Sequence, residues 1–344
     1  MAQFLLQNFD AVFVVSLLTV FLILVFRPLA IKASFTDAPT ARKIHHGNIP
    51  LTGGISIIFA TCLTSVMFYD TLHLDIIALL GCAGLSLLLG AVDDKFDLRA
   101  STKLTFQIAI ALIFILSTDN VVTSLGSPIG FLGPVELGVL ATPFTVIAIV
   151  GLKNAFNMVD GCDGLAASLV IISVVGLMSV IPGGGSDPTR QILLLLSISS
   201  FVFLFFNFSN SKGLKTFLGD GGSLCLGFIV AANLVEFSAS NTHYDPSVVL
   251  WFTAIPVLDF CTVIVRRKLL KRKMMAADRS HLHHLLMSWG LSHLQVTMLI
   301  SLAAAVLLLF GLNVASNHPN ISLWFFVALY LAYLSTRMFV VKGK

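Results

Sequence analysis

The sequence predicts an all-α integral membrane protein of about eleven transmembrane helices. Three observations predict it. The 344 residues are 57% apolar and 11% charged, where a soluble domain carries roughly 25% charged residues. Mean hydropathy is +0.95. Apolar runs recur along the chain near the length of roughly 20 residues that crosses a bilayer core, without the short alternating strands of a β-barrel. Eleven such helices use about 220 residues, leaving no room for a large soluble domain. This composition excludes an ordinary soluble enzyme, a disordered chain and a small secreted scaffold.

The runs stand at 4–26, 51–68, 74–92, 104–116, 137–152, 165–181, 192–208, 223–237, 248–265, 294–312 and 321–341. Residues 1–10 hold no Lys or Arg. The first run therefore lacks the basic start of a signal peptide and reads as a span that stays. Positive charge then sets sidedness. With the N-terminus outside, the inside segments are 27–50, 93–103, 153–164, 209–221, 266–293 and the C-terminal end. These hold 20 of the 21 Lys and Arg residues, and Arg190 falls outside. The net charge of +4 thus reports sidedness, and no nucleic acid partner is expected. In the outside segment 117–136, Gly126, Pro128, Gly130, Gly133 and Pro134 break helix between β-branched flanks, which predicts a short external hairpin. The five cysteines form no CxxC, and four sit in apolar runs, so neither a disulfide framework nor a zinc site is expected. No repeat divides the chain, which reads as one membrane domain over 1–344.

Chemistry-bearing residues gather in the inside segments. Residues 37–54 carry Arg42, Lys43, His45, His46, Gly53 and Gly54. Residues 93–103 carry Asp93, Asp94, Asp97 and Lys103. Residues 154–164 carry Asn154, Asn157, Asp160 and Asp163, and residues 217–223 carry Phe217, Gly219, Asp220 and Ser223. The fifth cluster holds Asp259, the basic run 266–273, Arg279, His281, His283 and His284. A lone Asp in a loop is ordinarily just solvated. Here six carboxylates on one side all adjoin apolar runs, where polar groups are costly and usually functional. Carboxylates converging with Lys and Arg suggest a divalent cation and a phosphate, because Mg²⁺ takes a few carboxylate oxygens plus substrate phosphates.

Asp93-Asp94 is a like-charged pair in which one carboxyl can stay protonated while the other ionises, which suits a base or a nucleophile. The spacing of Asn154, Asn157, Asp160 and Asp163 puts them along one helix face, whereas Gly161 and Gly164 argue for a helix broken near Asp160. Gly219-Asp220-Gly-Gly-Ser223 opens an apolar helix whose N-terminus favours phosphate. The three histidines have no Cys or matching partner set nearby, so phosphate contact or structural hydrogen bonding fits better than zinc. The 266–273 run is also what inside charge beside anionic headgroups looks like.

Taken in order, the five motifs resemble the polyprenyl-phosphate N-acetylhexosamine-1-phosphate transferase family over residues 37–290. The segments RKIHHGNIPLTGG, NAFNMVDGCDG and RSHLHH look most like its branch that transfers N-acetylglucosamine-1-phosphate. The branch that uses UDP-MurNAc-pentapeptide usually has three adjacent histidines, where this chain has His281-Leu-His283-His284.

The resemblance implies a Mg²⁺-dependent enzyme, with Mn²⁺ as a substitute. It would move GlcNAc-1-phosphate from UDP-GlcNAc to undecaprenyl phosphate and release UMP. This would begin a cell-surface polysaccharide (O-antigen, common antigen or teichoic acid linkage) at the bacterial inner membrane, with the site facing the cytoplasm. Another UDP-N-acetylhexosamine or UDP-MurNAc-pentapeptide is the alternative donor, and a homodimer is left open. Asp93 and Asp94 match the aspartate pair, one of which deprotonates the lipid phosphate. Lys103 matches the lysine beside the phosphates, and Asp160 joins them in the catalytic set. Asp220 matches the metal-binding aspartate, with Asn157 as second ligand or neighbour. Asp163 and Phe217 match positions that recognise uracil. His281, His283 and His284 match the basic loop motif near the sugar-phosphate, and Lys43, Asn154 and Arg279 complete the substrate-binding set. Asn207 and Asn210 both suit the family's asparagine ahead of Gly219-Asp220. Outside this class, a transporter would place its acids mid-span in repeated halves. Here most span interiors lack acids and the halves do not repeat.

Overall fold

The computed structural model describes residues 2–37, 47–68, 73–128, 130, 133–181, 187–211, 213–240, 244–271 and 281–342. Lys43 and Arg279 lie outside them. The chain is a helical bundle: α1 (Ala2–Gln7), α2 (Phe9–Lys32), α3 (Gly53–Phe68), α4 (Leu74–Phe96), α5 (Ala100–Thr118), α6 (Ala141–Val159), α7 (Leu165–Val180), α8 (Pro188–Asn207), α9 (Gly219–Ser240), α10 (Val248–Phe252), α11 (Ala254–Leu269), α12 (Leu282–Ser288), α13 (His293–Asn317) and α14 (Pro319–Lys342). Extended pairing among the described residues is confined to two places. Strand β1 (Thr36–Asp37) runs antiparallel to β2 (Ile49–Pro50). Ser124 bridges Glu136, where the amides of Leu125 and Leu137 reach Val135 O and Thr123 O at 2.9 and 2.8 Å. The second pairing is the expected hairpin.

Each of the eleven apolar runs lies on helix, with two divided, the first of them, 4–26, at Asn8 between α1 and α2. The run 248–265 breaks at Thr253 into α10 and α11. Pro256 in the first turn of α11 has no N–H for the Phe252 carbonyl. The Ser173 hydroxyl donates to that carbonyl instead, at 2.7 Å, which keeps the break satisfied inside an apolar bundle. Among the described residues, eight helices are long and apolar enough to cross a membrane, and α3 and α7 are apolar but 16 residues long. Large apolar side chains such as Phe13, Phe21, Leu302, Leu309 and Leu331 are exposed on α2, α13 and α14, as a lipid-facing surface requires.

The central helix is α9, buried along nearly its whole length and packed by α3, α4, α6 and α7. Its N-terminus is where neighbours approach most closely. A Cβ on Gly90 of α4 would lie 2.4 Å from the Asp220 carbonyl oxygen, and one on Gly54 of α3 would lie 2.1 Å from the Gly222 Cα. Small residues let transmembrane backbones touch, and these contacts seat the start of α9 against the ends of α3 and α4. Helix also runs further into the motifs than the segments 93–103, 153–164 and 209–221 suggested. Asp93 and Asp94 belong to the last turn of α4, Lys103 to the first turn of α5, Asn154 and Asn157 to α6, and Asp220 to the first turn of α9.

Candidate active site

Four helix ends converge on Asp220. Gly219 takes φ +76°, a conformation that glycine adopts without strain, and turns the chain into α9. The first amides of a helix have no partner within it. Here the Asp220 and Gly221 amides donate to the two carboxylate oxygens of Asp94, at 3.1 and 3.2 Å. Asp94 therefore caps α9 from α4, and the positive end of the helix dipole favours its charge.

Asp93, on the neighbouring position, takes the Leu98 amide at 3.0 Å and the Lys103 ammonium on its other oxygen. Lys103 also reaches Asp220 Oδ2 at 3.2 Å. From α6, the Asn157 amide nitrogen donates to Asp220 Oδ1 at 3.0 Å and to the Ser223 hydroxyl at 2.9 Å. One lysine thus bridges two carboxylates, and the side chain of Asp220 is 40% exposed against 9% for Asp93. Asp220 is the carboxylate that faces outward.

Among the described residues, no three His, Cys, Asp or Glu side chains are grouped to hold a metal by themselves. The oxygen donors at Asp220 still fit Mg²⁺, which is commonly bound through one or two carboxylates together with substrate phosphates and water.

Asn154 lies one turn before Asn157 and faces α5. Its amide exchanges hydrogen bonds with Gln107 at 2.5 and 3.2 Å and also donates to Val150 O at 2.7 Å. Gln107 stands one turn beyond Lys103, so this amide pair fixes α5 against α6 beside the cluster. Asp160 caps the end of α6, which breaks there as the glycines suggested, and Gly164 starts α7 at φ +72°.

In the loop between, Asp163 Oδ2 accepts from Lys215 Nζ at 2.6 Å and lies 3.8 Å from His293 Nδ1. Burial works to raise the Asp163 carboxyl, but His293 and Lys215 hold it below the usual carboxylate range. The Lys215 ammonium also sits 5.5 Å from the Phe217 ring centre. The loop at Phe217 is tied to residues 50–54: the Phe217 amide donates to Pro50 O at 2.9 Å, and its carbonyl accepts from Gly53 N at 2.9 Å. Asn207 is buried and donates to Thr216 O at 2.9 Å in the same loop, whereas Asn210 is exposed.

A third group lies at α11 and α12. His281 and His283 are buried and stacked, with ring centres 5.8 Å apart at 8°, and His284 lies 4.2 Å from His283. Burial, with His284 and His281 adding to it, pushes the His283 imidazole down to about 3. It is neutral at neutral pH and carries no cation for a phosphate. Residues 266–267 are buried at the end of α11.

Gln107, Lys215, His293, Asp259 and Tyr333 also take part, although the sequence motifs assign them no role. Lys215 was legible as a cation two residues from Phe217. Tyr333 sits in an apolar helix with no local signal.

The site gathers cations and carboxylates at the ends of apolar helices, the chemistry for handling anionic substrates at a bilayer, and comparison gives it a family. Residues 76–238 match the sequence model of glycosyl transferase family 4, and the chain belongs to that family. It is 34% identical over 313 residues to the undecaprenyl-phosphate alpha-N-acetylglucosaminyl 1-phosphate transferase of Escherichia coli strain K12, covering 89% of this chain and 83% of that protein. The probable undecaprenyl-phosphate N-acetylglucosaminyl 1-phosphate transferase of Bacillus subtilis strain 168 is 36% identical over 296 residues, 84% of this chain and 80% of that one. The Salmonella typhimurium LT2 protein, named as the Escherichia coli one is, is 33% identical over 321 residues, 92% and 86% of the two chains.

Proposed function

We propose that this protein transfers N-acetylglucosamine-1-phosphate from UDP-GlcNAc to undecaprenyl phosphate, forming the lipid diphosphate sugar and UMP. The observation that carries the reading is the Asp93–Lys103–Asp220 bridge at the N-terminus of α9. It puts a cation and an outward-facing carboxylate where an interfacial lipid phosphate and a nucleotide diphosphate could meet. The relatives' names supply the donor sugar and the lipid.

In this reading Lys103 offsets the charge of two anionic substrates that otherwise repel. The Asp93-Asp94 pair supplies the base for the lipid phosphate. Both oxygens of Asp94 already accept α9 amides, so Asp94 also holds Asp220 in place. Mg²⁺, or Mn²⁺ in its stead, would be held by Asp220 with Asn157 beside it, and would neutralise the diphosphate charge. Asp163 and Phe217 would take the uracil, by hydrogen bond and by stacking, with Lys215 alongside. Asp160, at the end of α6 between Asn157 and Asp163, completes the catalytic set. The 20 inside cations of 21 favour a site on the cytoplasmic face of the inner membrane, the side on which a nucleotide sugar is available.

The test is transfer of labelled GlcNAc from UDP-GlcNAc to undecaprenyl phosphate by purified protein in detergent. EDTA should stop the transfer, and added Mg²⁺ or Mn²⁺ should restore it. Transfer that persists in EDTA would remove the metal from the mechanism.

A further inference from the structure

The match to the family model ends at residue 238, and the histidine segment lies beyond it. There one buried carboxylate collects three donors, from the start of α12 and from α14. Asp259 on α11 is 1% exposed. Its Oδ2 lies 2.8 Å from His281 Nδ1. Its Oδ1 takes the Leu282 amide at 2.9 Å and the Tyr333 hydroxyl at 3.0 Å. Leu282 opens α12 and Tyr333 comes from α14, and the Arg337 guanidinium one turn further lies 5.9 Å from the Tyr333 ring centre. The other side of the histidine stack abuts the Asp160–Asp163 loop: a Cβ on Gly161 would lie 2.3 Å from His283 Nε2. Side chains therefore run in contact from the last helix, through Asp259, His281 and His283, to the loop that carries Asp160 and Asp163.

A carboxylate this buried is costly unless it is fully hydrogen-bonded. An ionised carboxylate only accepts, so its contact with His281 places the hydrogen on Nδ1. The partner of one ring nitrogen fixes which nitrogen serves elsewhere. For His281 that leaves Nε2.

We propose that Asp259 and Tyr333 are positioning residues for His281: the carboxylate fixes its tautomer and ring plane so that Nε2 meets the diphosphate of the nucleotide sugar, and the tyrosine hydroxyl fixes the carboxylate. The inference rests on the transferase reading above, with the histidine motif facing the donor. It gives the last helix a part in donor recognition.

The experiment is steady-state kinetics of the full chain in detergent, with KM measured separately for UDP-GlcNAc and undecaprenyl phosphate. The variants are His281→Ala, Asp259→Asn, Tyr333→Phe and the doubles with His281→Ala. Asp259→Asn should raise the KM for UDP-GlcNAc about tenfold, as loss of a charge-assisted hydrogen bond does. The KM for the lipid should stay unchanged. Tyr333→Phe should raise the donor KM about threefold. Each double variant should match His281→Ala alone, because both partners act through that ring.

Penalties that add in the doubles would overturn the inference and make Asp259 a structural prop. If Asp259→Asn does not fold, the Tyr333→Phe cycle carries the same test. A His281→Ala variant with unchanged donor KM, in an enzyme that still transfers GlcNAc, would overturn the inference at the histidine. Absence of any transfer by the unaltered protein would overturn the parent reading instead.

Discussion

The acid–lysine cluster at the start of α9 and the histidine cluster around Asp259 both set charged groups beside apolar helices, but they are assembled differently. The first draws on helix ends that each announce themselves: Asp93-Asp94 closing α4, Lys103 opening α5, Asn157 near the end of α6 and Asp220 opening α9. Glycine contacts bring them together, and Asp220 remains open at 40% side-chain exposure. The second cluster is closed around its carboxylate. Asp259 is 1% exposed, its donors come from α12 and α14, and His283 is neutral. The difference separates groups available to meet charged substrate from groups that hold another residue in place.

The largest effect is expected at Asp220. Asp220→Asn should lower turnover by about 10²–10³-fold or more, the cost of losing one preorganised electrostatic group. Near-normal UMP release from folded variant protein would remove Asp220 from the mechanism. Lys103→Met should cost about 10²-fold on the same principle, because it leaves Asp93 and Asp220 without their shared cation. Lys215→Met, which touches only the Asp163 side, should cost less in the same assay.

Next in size is the seating of α9. Gly90→Ala places a Cβ 2.4 Å from the Asp220 carbonyl oxygen, so the helices must part. Overpacking of this kind costs about 1–3 kcal/mol. A lower Tm together with reduced turnover should follow, whereas Gly81→Ala, which meets open space, should change neither.

The smallest effect concerns pH. Asp163 is held below its ordinary value by His293 and Lys215, against burial. A depressed carboxylate stabilises the fold above its unfolded pKa of about 4, and that contribution fades as pH falls from there through the folded value. The stability gap between wild type and Lys215→Met should therefore be full at pH 6 and shrink below about pH 4. A gap that widens on acidification would reverse the assignment.

Much of this architecture was legible beforehand because apolar length and break residues act locally. The runs gave the helices, Gly161 and Gly164 gave the break after α6, and the glycines and prolines of 117–136 gave the hairpin. The division at Thr253 was not legible, although Pro256 was in view, because an apolar run of that length reads as one span. Motif membership located Asp93, Asp94, Lys103, Asn157 and Asp220, but not their pairing: that Asp94 caps α9 depends on the contact of Gly90 with a backbone 130 positions away in sequence. Asn154 shared its motif with Asn157 yet faces Gln107, since a step of three on a helix turns a side chain by less than a full turn. Tyr333 was invisible because its partner, Asp259, lies on another apolar helix, and periodicity says nothing about which helices meet.

Transfer of a sugar phosphate at the α9 cluster is open to one decisive assay. The most direct measurement is UMP release by purified, folded protein with undecaprenyl phosphate and Mg²⁺, compared across UDP-GlcNAc, UDP-GalNAc and UDP-MurNAc-pentapeptide. Release with UDP-GlcNAc and little with the other two is expected. Release from another donor alone would keep the reaction and contradict the sugar; no release from any of the three would contradict the reaction itself.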